Sequence, residues 1–158
     1  MSTRVGIGYD SHRFEAGIPL RLGGVSIEHT HGLKGHSDGD AVLHAVTDAL
    51  LGAASLGDIG SFFPDSDPQW KGADSRVFLR AAVEALDSQK LRVGNVDVTV
   101  IAEQPKIAPH VEAMCAALAV TLGIPVQRVS IKGKTNEGMG WIGRGEGLAC
   151  IAVATIES

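Results

Sequence analysis

Three short stretches of the sequence carry most of its potential chemistry. In the first, Val5, Ile7 and Tyr9 alternate with Gly6 and Gly8 and run into Asp10-Ser11-His12. That alternation predicts a strand, and residues two apart on a strand face one side, so a carboxylate and an imidazole aim at one point. Alone, such a pair is more often a hydrogen-bonded surface feature than a metal site. A third donor changes the balance. His44 falls in a helix predicted over 38–54, on the face it shares with Asp40 and Asp48. Asp10, His12 and His44 make one carboxylate and two imidazoles with a fourth position open. This set suits catalytic zinc and also the facial triad of iron oxygenases. The oxygenase architecture needs a many-stranded barrel, and the chain has only about five strand-like segments, so zinc leads. Asp40 and Asp48 are placed to hold His44 from behind.

The second stretch is His36-Ser37-Asp38-Gly39-Asp40. Ser37 is the expected helix cap, with Asp38 and Asp40 in the first turn. Backbone N–H groups at that helix end would bind an anion, with His36 as a further donor. Plain capping explains Ser37 and Asp40 equally well and leaves His36 without a role. The third stretch is Lys132-Gly133-Lys134-Thr135-Asn136-Glu137, followed by five glycines within 138–147. Gly133-Lys134-Thr135 looks like the end of a phosphate loop, but that motif's first glycine would fall on Arg128. What remains is a hydroxyl, a carboxylate and nearby cations, suited to a second divalent ion and a diphosphate. Between these stretches, Gly57-Asp58-Ile59-Gly60 and Phe63-Pro64-Asp65-Ser66-Asp67 predict a loop. It is either a plain connection or a flap over a ligand, with Asp58 toward sugar hydroxyls. Together these features point to a divalent-metal enzyme acting on a phosphorylated small molecule.

The elements that must position these groups follow from pattern. Extended segments are expected at 5–9, 20–27, 95–102, 129–134 and 148–156, and helices at 38–54, from Asp74 or Ser75 through Leu86, and from Pro109 to Leu122. Gly123 and Pro125 stop the last of these, and 57–72 is a loop. The order ββ-α-α-β-α-β-β predicts an α+β fold: a two-layer α/β sandwich with a mixed four- to five-stranded sheet and helices on one face. At 158 residues, positions 1–158 are expected to form a single domain.

Composition narrows the partners. A net charge of −4 argues against a general nucleic-acid binder. Residues 35–70 hold six Asp and no Lys or Arg, and five of the six histidines lie at or before position 44, an arrangement good for divalent metal. Cys115 and Cys150 sit in apolar runs and read as buried hydrophobes of a reducing compartment. No apolar run reaches the roughly 18 residues of a membrane helix and no secretory pattern opens the chain, so a soluble, cytoplasmic protein is expected. Aromatic residues make up only 4%, which predicts a pocket built from donors and metals more than from rings.

In this order along the chain, the sequence resembles the 2-C-methyl-D-erythritol 2,4-cyclodiphosphate synthase family from end to end. The carriers are Gly8-Tyr9-Asp10-Ser11-His12, His36-Ser37-Asp38-Gly39-Asp40, Leu43-His44-Ala45, Leu56-Gly57-Asp58-Ile59-Gly60, Phe63-Pro64-Asp65-Ser66-Asp67, Gly72-Ala73-Asp74-Ser75-Arg76, Gly94-Asn95-Val96-Asp97, Gln104-Pro105-Lys106, Thr135-Asn136-Glu137 and Gly143-Arg144-Gly145-Glu146-Gly147. The resemblance implies that the 2-phosphate of 4-diphosphocytidyl-2-C-methyl-D-erythritol 2-phosphate attacks the β-phosphorus, releasing CMP and closing a cyclic diphosphate. It implies zinc on Asp10, His12 and His44, and magnesium or manganese on the diphosphate near Glu137. His36 and Thr135 would stabilise the transferring phosphoryl. Asp58 and Gly60 would meet the erythritol, in a binding set that also takes in Ser37, Ile59, Phe63, Pro64, Asp65, Ser66, Asp67, Asn136, Trp141 and Arg144. Ala102, Pro105, Lys106, Ala108 and Lys134 would form the cytidine pocket of a neighbouring subunit in a homotrimer. Arg144 and Glu146 would line a central cavity that takes isoprenoid diphosphates. A zinc-dependent phosphoester hydrolase and a non-catalytic nucleotide- or metal-binding module are the alternatives.

Overall fold

The alternation that begins at Val5 belongs to a strand longer than the pattern alone marks. In the computed structural model, which describes residues 2–158, β1 runs Thr3–Ala16. Polar residues at Ser11, Arg13 and Glu15 end the apolar pattern while the backbone pairing continues. β2 (Leu20–Leu22) and β3 (Val25–Ile27) pair as a separate hairpin, turned by Gly23 and Gly24 at φ of 60° and 78°. β4 (His31–Leu33), absent from the pattern, pairs with the end of β1. Then come α1 (Ala41–Ala53), α2 (Ile59–Phe62), α3 (Arg76–Ser88), β5 (Arg92–Ile101), α4 (Val111–Leu122), β6 (Val129–Lys134), α5 (Gly140–Gly143) and β7 (Gly147–Glu157).

Among the described residues the main sheet has five strands in the order β4-β1-β7-β5-β6. It is mixed: β5 and β6 are parallel and the other pairs antiparallel. The helices α1, α3 and α4 pack over one face, as the two-layer prediction required. Segment 57–72 departs from a plain loop, because Asp58 and Asp67 cap α2 and a 3₁₀ turn at Pro68–Trp70.

Helix α1 is the centre of the molecule. Its Val42, Leu43, Val46, Leu50 and Leu51 are buried, and the pattern is apolar nearly all round because α1 lies between the sheet and α3. It lies so close to β1 that a Cβ at Gly6 would overlap the Ala49 carbonyl, and one at Gly8 the Ala45 carbonyl.

The start of α1 corrects an expectation. Ser37 does not cap it. Gly39 adopts φ 74°, which breaks the helix backward, and the cap is Asp40, whose carboxylate accepts Leu43 N–H at 3.1 Å. The same carboxylate accepts Gly23 N–H at 2.9 Å and Gly24 N–H at 2.8 Å, tying the β2–β3 hairpin to the helix. Asp40 is fully buried. The α1 N-terminus is therefore closed by the chain's own anion and is not available to a phosphate.

The other face of the sheet carries an apolar stripe of Val5, Ile7, Tyr9 and Val153, which are 66%, 69%, 56% and 39% exposed.

Two glycines test the packing in opposite directions. Gly8→Ala is expected to lower stability by about 1–3 kcal/mol or more through overpacking against α1. Gly52→Ala, at an exposed helical position with no atom nearer than Ile7 O at 4.0 Å, is expected to raise it by about 0.5–1 kcal/mol. Urea denaturation midpoints of the two variants check both signs.

Candidate active site

Two and four residues beyond Gly8, on the same face of β1, stand Asp10 and His12. Across the tight helix–strand contact α1 presents His44, the neighbour of the Ala45 whose carbonyl covers Gly8. His12 Nε2 lies 2.8 Å from Asp10 Oδ2, His44 Nδ1 lies 3.0 Å from the same oxygen, and the two nitrogens are 3.3 Å apart. A tetrahedral ion with bonds of about 2.0–2.2 Å holds its donors about 3.3 Å from one another. The three atoms thus form one triangular face of such a site, and donor chemistry and spacing both fit a small divalent metal.

The electrostatics agree. Burial pushes the Asp10 carboxyl up, but hydrogen bonds and charge from His12 and His44 outweigh it and hold Asp10 below the usual carboxylate value. Burial disfavours a charged His12, yet its bond to Asp10, the Asp10 charge and the Lys34 carbonyl outweigh this and raise its pKa above 6.5. His12 Nδ1–H donates to the Lys34 carbonyl at 2.8 Å, which aims Nε2 at the site.

His44 is held differently from the sequence expectation. Asp40 is occupied at the helix cap, and Asp48 accepts Ile59 N–H at 2.7 Å, joining α1 to α2. Neither carboxylate touches the ring. His44 Nε2 instead faces Ser75 Oγ at 2.7 Å and Ser37 Oγ at 3.1 Å. Ser75 had only a capping role in the sequence. In the structure it precedes α3, makes no side-chain cap bond, and turns its hydroxyl inward to the ring. Nothing local in the sequence marks this, because the contact joins residues 31 apart.

Around these ligands lies a cavity of about 410 Å³. Of the predicted site residues, Asp10, His12, His36, Ser37, His44, Ile59, Gly60, Phe63, Pro64 and Asp65 line it. Trp70 and Phe78, which sequence reasoning missed as site residues, complete its wall. The Phe63 ring packs tilted against Phe78 at 4.6 Å and edge-to-face against Trp70 at 5.0 Å between ring centroids. The expectation of a pocket poor in rings is therefore wrong on this side: three of the chain's seven aromatic residues wall the site. Phe78 also belongs to the buried face of α3.

His36 ties the flap down. Its Nε2–H donates to the Asp67 carbonyl at 3.1 Å, and its own carbonyl accepts Gly72 N–H at 2.7 Å. Asp58 accepts Ser61 N–H and Ser61 Oγ–H, both at 2.8 Å, and Asp67 accepts from Gln69. Both carboxylates shape the flap while remaining at its surface.

The remaining predicted residues do not converge on this cavity. Ala102, Pro105, Lys106, Ala108, Lys134 and Thr135 line a separate one of about 520 Å³ beside β6. Trp141 lines a smaller hollow with Ser11, His12, Arg13 and Glu146, and Arg144 lines another. Asp58, Ser66, Asp67, Asn136 and Glu137 line neither the cavity around the ligands nor the one beside β6. Glu137 has φ 54°, a left-handed conformation uncommon for a non-glycine residue. The next peptide is anchored by Gly138 N–H donating to Glu103 at 2.8 Å. Register explains the separation. Asp10, Cys150, Val100 and Gly133 form one row across β1, β7, β5 and β6. Three strand steps of roughly 4.8 Å put Gly133, in the wall of the second cavity, about 14 Å along the sheet from Asp10.

Comparison with known proteins fits this geometry. Over 153 residues the chain is 63% identical to 2-C-methyl-D-erythritol 2,4-cyclodiphosphate synthase of Gemmatimonas aurantiaca, covering 97% of this chain and 92% of that protein. It superposes on a solved 2C-methyl-D-erythritol-2,4-cyclodiphosphate synthase in its CDP-bound form with a TM-score of 0.90 at 40% identity, covering 98% of this chain and all of that one. It matches the bifunctional IspDF of Campylobacter jejuni with a TM-score of 0.89 at 40% identity, covering 98% of this chain but 42% of that longer protein. The family model described as the YgbB family matches residues 3–157, and the chain belongs to that family.

Proposed function

We propose that this chain converts 4-diphosphocytidyl-2-C-methyl-D-erythritol 2-phosphate to 2-C-methyl-D-erythritol 2,4-cyclodiphosphate with release of CMP. It is a lyase of isoprenoid precursor biosynthesis. The observation that carries this most directly is the Asp10–His12–His44 triangle, built for a divalent metal inside a cavity of a chain so similar to named synthases.

The chemistry suits these residues. The nucleophile is a phosphate already mostly ionised near neutral pH, its second pKa being about 6, so no protein base is required. The chain's task is to align two phosphoryl groups, offset their charge and keep water out. We assign zinc to Asp10, His12 and His44, and magnesium or manganese to the diphosphate with Glu137; when bound, these ions supply positive charge to the phosphate oxygens. Thr135 serves as a donor to the transferring phosphoryl, as does His36 once its Nε2–H leaves the Asp67 carbonyl. Phe63, Trp70 and Phe78 wall the cavity, which disfavours water and hence a linear hydrolysis product. Asp58 and Gly60 take the erythritol hydroxyls, and Lys106 and Lys134 the cytidine end.

The metal cavity and the β6 cavity lie on one row of the sheet but apart, so the reading requires a neighbouring copy to bring its β6 cavity to this chain's metal cavity. A homotrimer meets that requirement, and the exposed Val5–Ile7–Tyr9–Val153 stripe is a suitable face for it. We take residues 1–158 as one catalytic domain. Among the described residues no helix is long and apolar enough to cross a membrane, and the buried free thiols Cys115 and Cys150 support a cytoplasmic setting.

Incubation of the protein with the cytidyl substrate and Mg²⁺ is expected to yield CMP and the cyclic diphosphate by mass spectrometry. A linear, water-derived monophosphate would instead support a hydrolase. His44→Ala is expected to lose zinc, with turnover falling by more than the roughly 10–100-fold cost of an outer-shell change. Zinc binding must displace protons, and His12 titrates above 6.5. Affinity is therefore expected to fall with pH from above 6.5 downward, as competition titration at several pH values will measure. Ile7→Asp, on the open sheet face, is expected to lower the assembly's mass in sedimentation and to remove turnover together with it.

A further inference from the structure

His44 can bind a metal through Nδ1 only if its ring proton sits on Nε2. Nε2 faces the Ser75 hydroxyl at 2.7 Å. A hydroxyl by itself is ambiguous. It can accept from Nε2–H, or it can donate to a bare Nε2, which would leave the proton on Nδ1 where the metal must bind.

Asp38 removes that ambiguity. A carboxylate can only accept, and Ser75 Oγ–H donates to Asp38 Oδ1. Ser75 N–H donates to Asp38 Oδ2 at 3.0 Å, and Asp40 N–H donates to Oδ1 at 3.1 Å. The one hydroxyl proton of Ser75 is thus committed to Asp38, and only lone pairs remain for His44. Ser75 is fully buried, so solvent does not substitute for it. Its hydroxyl is not spent on capping α3 either.

We propose that Asp38 and Ser75 form a hydrogen-bond relay that keeps a proton on His44 Nε2, so that Nδ1, which faces Asp10 Oδ2 at 3.0 Å, is the nitrogen given up to the divalent metal, and that the relay thereby sets the chain's affinity for it. Both act through His44 as positioning residues, and the relay rests on the metal assignment made above. Asp38→Asn is informative because an amide has one oxygen: three donors converge on Asp38, and in the variant at least one loses its acceptor or meets an N–H. Ser37 Oγ, at 3.1 Å from Nε2 and 3.4 Å from Ser75 Oγ, has no carboxylate holding its proton and does not replace Ser75.

The test is zinc affinity by competition with a chromophoric chelator, combined with histidine-ring ¹⁵N NMR of the full chain. Ser75→Ala and Asp38→Asn are each expected to weaken zinc about 10–100-fold. Each should also lower the occupancy of the His44 Nε2 proton after chelator treatment, while Ser75→Thr, which keeps the hydroxyl, restores both readouts. If Ser75→Ala does not fold, Ser75→Cys keeps the volume, loses the strong acceptor, and is expected to weaken zinc in the same way. The relay is overturned if a folded Ser75→Ala or Ser75→Cys binds zinc as tightly as the unaltered chain with the His44 tautomer unchanged. An unaltered chain that takes up no zinc overturns the metal assignment itself, and the relay with it.

Discussion

Everything at the site depends on how closely α1 lies on β1. Gly6 and Gly8 supply no side chains, so helix carbonyls sit where Cβ atoms would be. That approach brings His44 to within 3.3 Å of His12 and 3.0 Å of Asp10. A strand with larger residues at positions 6 and 8 would push the helix outward, and the three donors would no longer share one point. Backbone contact of this kind is rigid in a way that side-chain packing is not, because neither partner has a rotamer to yield. Gly6 and Gly8 thus have a concrete use, in bringing a helix down onto a strand.

A second layer of interactions holds this geometry in place. Asp40 closes the α1 N-terminus and carries the β2–β3 hairpin with it, while Asp48 carries α2 and the flap. These carboxylates look like metal chemistry in the sequence and serve architecture in the fold. Asp38 lies between the two roles, bonded to backbone and to the serine that faces His44. The acidic, cation-free run from 35 to 70 therefore divides its labour among capping, flap shaping and ligand support.

Much of this was legible in the sequence, for physical reasons. Asp10 and His12 could be paired because strand periodicity is two, and His44 could be added because it falls in the helix expected over 38–54, on the face of Asp40 and Asp48. The α+β class followed from the order of those patterns, and the motifs quoted above named the family before any fold was known. What was illegible depended on tertiary contact. The cap moved from Ser37 to Asp40 because Gly39 adopts a left-handed turn and a distant hairpin donates to Asp40. The role of Ser75 at His44, and of Trp70 and Phe78 in the cavity wall, joins residues far apart in sequence. The separation of the two cavities follows from strand order, which no local pattern encodes.

The central claim is that Asp10, His12 and His44 hold a catalytic divalent metal. Anomalous diffraction from crystals of the protein grown with zinc, collected on both sides of the zinc absorption edge, tests it most directly. The account predicts an edge-dependent peak bonded to Asp10 Oδ2, His12 Nε2 and His44 Nδ1, lost in His44→Ala. A fully active protein whose crystals show no such peak at those three atoms would contradict it.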